Sequence, residues 1–410
     1  MFYRRPRRLP LPLLLTALCF ICLDAAFQIV TRPVTRHRVR PTFPELQGNF
    51  SVYVAAALRN AETIQRDAWN DAVIGLADYL GPHRLHVSIV EGGSEDGTKE
   101  SLQYLAKQLE KRRVGHSLYF GESSMEYLAS VNDRPERGRR PPGWIWNERM
   151  RRFEKRRIPH LADVRNKAME PLQMMAMEGK RFDRVLWLND VAFDVEDFVT
   201  LLNTRSGRYA AACAIDFEDV PSYYDSFATR DDLGFETAST YWPWFLSPTS
   251  RAAAISLEPV PVTSCWSGMV AFDAAPFYGP APLSFRGVED TLADFHLEAS
   301  ECCLVHTDNP LSRKRGVWLN PNVRVGYSLP VYKEVRRKRF PSAWHSVVGA
   351  WSNRLWRWYS ALLHRVERWA VSRLVRKWAA QRPSGERIES GVDCIINDVQ
   401  VLWDGAWRHI

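Results

Sequence analysis

A continuous apolar run over residues 50–58 constrains the fold of this chain more than any other feature of its sequence. The run, FSVYVAAAL, lacks the polar alternation of a strand with one solvated face, so it predicts a strand buried on both faces. Helices are predicted over 64–80 and 101–113, and further strands over 85–90, 184–188, 209–215, 260–263 and 268–272. This alternation predicts an α/β fold with a mainly parallel central sheet flanked by helices. Because 46% of the residues are hydrophobic, the chain can bury such a core, and wholesale disorder is excluded.

Charge is distributed unevenly along the chain. Residues 1–40 hold eight Arg and one acid, and residues 331–378 hold twelve Lys or Arg and two Glu. The whole chain carries a formal charge of only +8, so the body between these ends is acidic. A protein that coats nucleic acid would be basic across its folded domain, and no nucleic-acid partner is therefore expected. Basic ends on an acidic body instead favour contact with a membrane surface.

The N-terminus carries the pattern of a membrane anchor. Four Arg in residues 1–8 precede an apolar run that begins at Leu9 and largely persists to Val30. Positive charge before an apolar run predicts a cytoplasmic tail at 1–8, an uncleaved transmembrane anchor at 9–30 and a lumenal remainder. A cleaved signal peptide is the alternative, because the clean run is short. Residues 31–48 are Pro- and Arg-rich and are predicted to form a stem.

Five cysteines lie outside the predicted anchor, at positions 213, 265, 302, 303 and 394. Five is an odd number, so at most two intramolecular disulfides form among them and one thiol stays free. None of these cysteines has CxxC spacing, so no structural zinc site is predicted.

Polar residues follow the first two predicted strands. Arg59 comes directly after the first strand, and Glu91, Ser94 and Asp96 follow the second in a Gly-containing turn. Ligands of parallel sheets bind at the carboxyl ends of the strands, where carboxylates can accept hydrogen bonds from a nucleoside. The alternative is a surface turn in which Ser94 or Asp96 caps the next helix.

Two further residues suit a diphosphate and its cation. Arg165 lies in a helix predicted to open near Leu161, and an arginine there can pair with a diphosphate. Asp190 follows the third strand, and a carboxylate beside a diphosphate is what Mg²⁺ or Mn²⁺ needs. The alternative for Arg165 is an ordinary charge on a helix surface, and the alternative for Asp190 is an Asn-Asp β-turn.

An ordered set of segments covers about two-thirds of the chain and resembles one known family. The segments are VAAALRNAE (54–62), VSIVEGGSEDGT (87–98), LADVRNKAMEPL (161–172), FDRVLWLNDVAFDVEDFVTLLNT (182–204), AACAIDFEDVPSYYDSFATRDDLG (211–234), PVTSCWSGMVAFDAAPF (261–277), SECCLVHTD (300–308) and NPNVRVGY (320–327). Together they resemble the fungal capsule-associated α-1,3-mannosyltransferases, glycosyltransferase family 69, which have the GT-A nucleotide-sugar-binding fold. The resemblance implies a GT-A catalytic domain at 49–330, preceded by the anchor and followed by a basic, Trp-rich extension at 331–410.

The resemblance also implies an activity. It implies retaining transfer of mannose from GDP-mannose to the 3-OH of an α-mannoside or glycan acceptor, with Mn²⁺ or Mg²⁺. The expected location is the Golgi membrane, as a single-pass type II protein with a lumenal catalytic domain. The alternatives are a transferase for another sugar nucleotide, and a non-catalytic relative that binds glycan or acts as a scaffold.

The metal site departs from the wider fold. Most GT-A enzymes carry Asp-x-Asp, whereas this chain offers Leu188-Asn189-Asp190, so Asp190 is the main predicted metal ligand. His306 is the second predicted ligand, since it fits the C-terminal His of that fold by order. His296 competes with it, and a structural role is the alternative for both histidines.

The second half of the chain is predicted to bind the acceptor. Glu301 corresponds in order to the acidic residue that GT-A enzymes place near the acceptor hydroxyl. Together with Asp190 and Asp231, it makes up the set of predicted catalytic residues. The predicted acceptor-binding residues are Asp225, Arg230 and Trp266. The alternative for Trp266 is an aromatic core residue.

Apolar residues also recur at helical spacing near the C-terminus. They are Trp351, Leu355, Trp358, Leu362, Val366 and Trp369, with arginines beside them. The pattern predicts either a helix packed on the catalytic domain or a basic amphipathic helix on a membrane face.

Overall fold

The helices and strands alternate as the sequence predicts. A computed structural model describes residues 11–31, 45–46, 48–121, 124–136, 138–336, 340–383, 386, 388–403 and 406–410. The helices are α1 (Leu11–Thr31), α2 (Glu62–Ile64), α3 (Asn70–Leu80), α4 (Thr98–Lys111), α5 (Ser124–Asn132), α6 (Arg157–Met177), α7 (Val195–Leu202), α8 (Pro248–Ser256), α9 (Asp290–Ala293), α10 (Glu301–Asp308), α11 (Ser312–Arg315), α12 (Leu329–Val335) and α13 (Ala343–Ala380).

The strands are β1 (Val52–Leu58), β2 (Leu85–Glu91), β3 (Gly115–Phe120), β4 (Trp144–Asn147), β5 (Arg152–Lys155), β6 (Arg184–Leu188), β7 (Ala211–Asp219), β8 (Ser222–Tyr223), β9 (Arg230–Asp231), β10 (Val260–Ser264), β11 (Met269–Asp273), β12 (Glu298–Ala299), β13 (Val317–Gly326), β14 (Ile395–Ile396), β15 (Gln400–Trp403) and β16 (Ala406–His409).

One large sheet organises the body. Its strand order is β3-β2-β1-β6-β11-β7-β13-β10-β9, with β8 paired to β7. Strands β3, β2, β1 and β6 are all parallel, which confirms the predicted α/β class. Strand β11 then runs antiparallel between β6 and β7, so the far half of the sheet is mixed. The carboxyl ends of β1, β2 and β6 therefore meet at one edge of the sheet.

Strand β1 lies at the centre of the core, as its apolar run predicts. Val52, Val54 and Ala56 pack into the core on one face of the sheet, and Tyr53 and Ala55 into the core on the other. All five side chains are fully buried. Each large apolar side chain buried in this way contributes about 1.5–3 kcal/mol. Two-sided burial is why this strand shows no polar alternation.

Residues 132–157 are basic and rich in Pro and Arg, a composition that predicts a mobile surface excursion, but residues 144–155 form a packed hairpin, so that prediction is wrong. Strands β4 and β5 pair antiparallel, and Trp144 and Phe153 are buried. The next residue, Arg156, is buried and pairs with the buried Glu298 at 2.7 Å. The segment is rich in charged residues, so its composition did not indicate the few apolar side chains that pack one face of the hairpin against the body.

Two disulfides form, as many as the cysteine count allows. They join Cys213 to Cys265 and Cys303 to Cys394, and Cys302 remains a buried free thiol. The second disulfide ties the C-terminal region to α10, and β14 pairs with β12 beside it. Residues 395–403 thus return to the body of the protein.

Helix α1 packs against α13. Asp24 of α1 accepts two hydrogen bonds from Arg354 of α13, at 2.8 and 3.0 Å. Within the part of the chain that the structure describes, no helix is both long enough and apolar enough to cross a membrane. The predicted anchor at 9–30 stays a prediction, and its first two residues lie outside the described residues.

Candidate active site

The loops after β1 and β2 are locked to each other. The Ser94 hydroxyl accepts a hydrogen bond from the Asn60 amide at 2.9 Å, and Asp96 accepts one from the Glu62 amide at 3.0 Å. Hydrogen bonds from Thr98 and from the Glu62 amide outweigh partial burial and lower the pKa of Asp96. Ser94 and Asp96 therefore join the two loops, and neither is the N-cap of α4, which is Gly97 without a side-chain cap hydrogen bond.

Glu91 supports the same loop from inside. Its side chain is fully buried, and its carboxylate accepts a hydrogen bond from the Ser94 amide at 2.5 Å. Lys99 lies 3.6 Å from the second carboxylate oxygen. These contacts hold the loop at the carboxyl end of β2 in its conformation. Because Glu91 is used within the loop, any contact with a ligand comes from neighbouring side chains.

A cavity of about 190 Å³ opens at the carboxyl ends of β1 and β2. Its lining includes Leu58, Arg59, Val90, Arg157, His160 and Trp407. Trp407 comes from the C-terminal hairpin of β15 and β16, which reaches the start of α6 through an isolated bridge between Arg156 and Val401. Burial, with Lys155 and Arg59 nearby, lowers the pKa of His160 to about 4, so His160 is neutral there at physiological pH.

Arg157 is the cation of this cavity that sequence reasoning missed. Its guanidinium donates to the Gln400 side chain at 2.6 Å and lies 4.6 Å from the ring centre of Trp407. Among the described residues, no carboxylate forms an ion pair with Arg157, and burial lowers the pKa of Arg157. A partly buried cation without a paired carboxylate suits an anionic ligand.

The end of β6 carries Asn189 and Asp190. The Asn189 side chain accepts a hydrogen bond from the Trp266 indole at 3.0 Å and donates one to the Tyr327 hydroxyl at 3.3 Å. Its backbone oxygen accepts a third from the indole of Trp69 at 2.9 Å. The amide of Asn189 is thus committed to the protein, and it fixes the direction of the chain at Asp190.

Asp190 has the properties of a cation ligand. Its side chain is partly buried, burial raises the pKa of Asp190, and no Lys, Arg or His nitrogen of the described residues pairs with it. A desolvated carboxylate without a protein cation gains from a bound divalent ion. Asp190 therefore fits the single protein carboxylate of a Mg²⁺ or Mn²⁺ site whose other ligands are phosphate and water.

Asp216, which is buried, and Asp225, which is half-buried, form a carboxylate pair that the sequence did not single out as a pair. The Tyr327 hydroxyl and the Asp225 amide both donate to Asp216, each at 3.1 Å. Burial, reinforced by the charge of Asp225, raises the pKa of Asp216 well above its ordinary value. Burial also raises the pKa of Asp225, although the Ser267 amide donates to it at 2.9 Å.

Arg165 and Glu301 meet beside this pair. The Arg165 guanidinium donates to Glu301 at 3.0 Å and lies 4.5 Å from the ring centre of Trp266. The neighbouring Cys302 and Glu301 outweigh burial and raise the pKa of Arg165. Arg165 was predicted for the diphosphate and Glu301 for the acceptor, but the structure places the two in one ion pair.

Three predicted site residues serve the scaffold instead. Asp231 is buried, and its carboxylate accepts the amides of Leu233, Phe235 and Ser247 at 3.0, 3.0 and 2.8 Å. Arg230 is buried as well and donates to the backbone oxygen of Asp393 at 2.8 Å. Trp266 is only 3% exposed and covers Arg165, which agrees with the alternative of an aromatic core residue.

Each of the two candidate histidines bonds to a backbone oxygen of the protein. His306 is fully buried, bonds to the Cys265 backbone oxygen at 2.6 Å and stacks on Phe272. Burial lowers the pKa of His306 to about 4. His296 instead bonds to the Ile410 backbone oxygen at 2.6 Å. Neither group of three metal-type ligands in the described chain contains Asp190. These groups are Cys213, Cys265 and His306, whose cysteines are disulfide-bonded, and Glu236, His364 and Glu367.

The fold and site define an α/β protein that holds a cation-lined cavity and a set of buried carboxylates at one edge of its parallel strands. Residues 51–308 match the family described as Cryptococcal mannosyltransferase 1, and the chain belongs to this family. It is also 26% identical over 294 residues to alpha-1,3-mannosyltransferase CMT1 of Cryptococcus neoformans var. neoformans serotype D. That match covers 68% of this chain and 58% of the relative, so the chain spans little more than half of the relative's length.

Solved structures with a similar chain course are more distant. The mannosyltransferase PcManGT from Pyrobaculum calidifontis, in complex with GDP-Man and Mn²⁺, is 12% identical, with 80% of this chain and 70% of that chain covered and a TM-score of 0.36. GalNAc-T7 with UDP, GalNAc and Mn²⁺ is 14% identical, with 68% and 43% covered and the same TM-score of 0.36. Scores this low do not bear on the chemistry of the site.

Proposed function

We propose that the protein is a mannosyltransferase that moves mannose from GDP-mannose to the 3-OH of an α-mannoside, with a divalent cation and with retention of configuration. Family membership supports mannosyl transfer, and the name of the relative supports the α-1,3 linkage. The observation that carries the proposal is the placement of two residues without ionic partners in the described chain. Arg157 lines the cavity at the ends of β1 and β2, and Asp190 follows the neighbouring strand β6.

The two residues divide the donor between them. The nucleoside occupies the cavity, where Trp407 offers an aromatic face to the base and Arg157 offers its guanidinium to the diphosphate. Asp190 holds the cation, which, when bound, neutralises the charge that develops on the leaving diphosphate. The loops that Ser94, Asp96 and Glu91 brace keep the wall of the cavity in place.

The buried acidic cluster serves the transferred sugar and the acceptor. Arg165 holds the Glu301 carboxylate in one orientation, where it can accept a hydrogen bond from the acceptor hydroxyl. Burial disfavours the ionised forms of Asp216 and Asp225 in the free protein. Positive charge developing at the anomeric carbon would favour their ionised forms and would be stabilised by them.

We also propose that this reaction takes place in the secretory pathway, with the Golgi membrane as the expected location. The two disulfides support an oxidising compartment, because disulfides rarely persist in the cytosol. Protease added to sealed microsomes tests this proposal directly. Protection of the chain is expected, and digestion without detergent would place the protein on the cytosolic side.

A donor screen tests the proposed activity. The purified chain is incubated with Mn²⁺, an α-mannoside and GDP-mannose, GDP-fucose, UDP-glucose or UDP-N-acetylglucosamine in turn, and the product linkage is read by NMR. We expect an α-1,3-linked mannoside from GDP-mannose alone. Transfer from another donor would redirect the proposal to that sugar, and glycan binding without transfer from any donor would indicate a non-catalytic relative.

A further inference from the structure

The first half of helix α13 packs on the body through small residues. Its buried positions include Ser346, Gly349, Ala350 and Ser360. At Gly349 a Cβ atom would lie only 2.3 Å from the backbone oxygen of Trp242, so the helix approaches the body as closely as glycine permits. Val371, Val375 and Trp378 are buried nearer the end of the helix. Over residues 346–360 the seam is narrow, and it does not use most of the large apolar side chains of the predicted stripe.

Those large side chains face away from the body. The exposed fractions are 70% for Leu355, 85% for Trp358, 69% for Leu362, 55% for Val366 and 59% for Trp369. Five of the six members of the predicted apolar stripe are thus exposed, and packing of that stripe on the catalytic domain is excluded. Exposed aromatic and leucine side chains at helical spacing form an unpartnered apolar face.

Helix α1 lies beside α13 and adds further exposed apolar side chains. The Asp24–Arg354 ion pair fixes α1 against α13 at 2.8 Å. On α1, Leu15, Leu18, Phe20 and Leu23 are between 57% and 66% exposed. We call the exposed apolar residues of the two helices the α1–α13 surface. Two adjacent helices present it, so it is wider than the stripe of a single amphipathic helix.

The charge beside this surface identifies its partner. Helix α13 carries seven Lys or Arg and one Glu. Arg365, Arg373, Arg376 and Lys377 are exposed beside the apolar residues. Tryptophans and leucines flanked by basic residues match the interface of an anionic bilayer, where rings enter the headgroup region and cations meet phosphates. A second copy of the surface fits less well, because it would bring two basic helices together.

We propose that the α1–α13 surface docks on a bilayer that contains anionic lipids. The apolar side chains enter the headgroup layer, and the basic residues of α13 bind lipid phosphates. This docking is independent of the proposed transfer reaction, since the helices lie outside the cavity at Arg157 and outside the acidic cluster.

Vesicle flotation of the full chain tests the proposal. We expect binding to phosphatidylcholine vesicles that contain phosphatidylserine and weaker binding to phosphatidylcholine alone. The double variant Trp358→Glu/Leu362→Glu should bind about ten-fold less, because two charges replace side chains that enter the interface. Both positions are exposed, so circular dichroism and the melting temperature should not change. Met177→Glu is the matched control, since Met177 is 82% exposed and lies on α6.

A second variant separates lipid charge from apolar contact. Arg373→Glu/Arg376→Glu should lose the preference for phosphatidylserine while keeping the residual binding to phosphatidylcholine. The proposal is overturned if the Trp358/Leu362 variant floats as well as the unmodified chain. It is equally overturned if sedimentation shows that this variant converts a dimer to a monomer without any change in vesicle binding, because the surface would then be an interface between copies.

Discussion

Arg165 and Glu301 form an ion pair at 3.0 Å between helices α6 and α10, in a setting where Glu301 is only 2% exposed. The pair lies against the ring of Trp266, which in turn bonds to Asn189 next to Asp190. One connected set of contacts thus links the acidic residue proposed for the acceptor to the strand end proposed for the cation.

Removing the cation of this pair should destabilise the fold. Arg165→Met leaves the Glu301 carboxylate buried and unpaired, which costs about 3–5 kcal/mol in the free energy of unfolding. Arg66→Met is the control, since Arg66 pairs with Glu62 on the surface and should change stability by less than about 1 kcal/mol. Urea unfolding of both variants measures the difference. Equal stabilities would show that the buried pair is not needed to hold α6 and α10 together.

Much of the scaffold could be predicted from the sequence. A strand buried on both faces, such as β1, has a continuous apolar sequence, and the polar residues that follow the strands indicate the edge of the sheet that binds ligands. The roles of individual polar residues could not. Asp231 and Asp190 both follow or end short strands, yet three backbone amides saturate Asp231 and no described cation pairs with Asp190. Trp407 contacts Arg157 in the cavity although the two residues are about 250 positions apart in the sequence. No local sequence pattern predicts a contact over such a separation.

The cavity makes a separate prediction about nucleotide affinity. Arg157→Ala and Trp407→Ala should each weaken GDP binding by at least about ten-fold, because each removes one of the contacts proposed for the ligand. The charged hydrogen bond proposed for Arg157 is worth about 1.5–3 kcal/mol. Isothermal titration calorimetry without acceptor measures this. Trp403→Ala is the matched control: Trp403 lies on the same hairpin but contacts Arg152 and Arg408 outside the cavity. Losses of equal size in all three variants would mean that the hairpin acts only through its fold.

Burial of Asp197 predicts a pH dependence of stability. Burial, and the charge of Asp194, raise the pKa of Asp197 to about 7 from an ordinary value of 3.8. Between these values the folded state binds more protons than the unfolded state, so this group makes stability fall as pH rises from about 4 to 7. Asp197→Asn should flatten that fall in chemical unfolding curves, whereas the exposed Asp71→Asn should not. An unchanged slope in the Asp197 variant would contradict the raised pKa.

The disulfide at the C-terminal region should contribute to stability. Cys303–Cys394 closes a chain segment of 91 residues, and loss of such a link costs about 2–5 kcal/mol. Cys394→Ser should therefore lower the midpoint of denaturant unfolding, while Cys302→Ser, which removes the buried free thiol, should have a smaller effect. Equal midpoints for Cys394→Ser and the unmodified chain would show that this link does not hold the C-terminal region to α10.

Transfer of labelled mannose by the Asp190→Asn variant tests the central claim most directly. The unmodified chain, with GDP-mannose, Mn²⁺ and an α-mannoside, should form product and should lose this activity on addition of EDTA. Asp190→Asn should lower transfer by several orders of magnitude with the fold intact, since a cation at a leaving diphosphate contributes several kcal/mol. Asp71→Asn, an exposed carboxylate on α3, should transfer normally. Full transfer by Asp190→Asn, or transfer that EDTA leaves unchanged, would contradict the account.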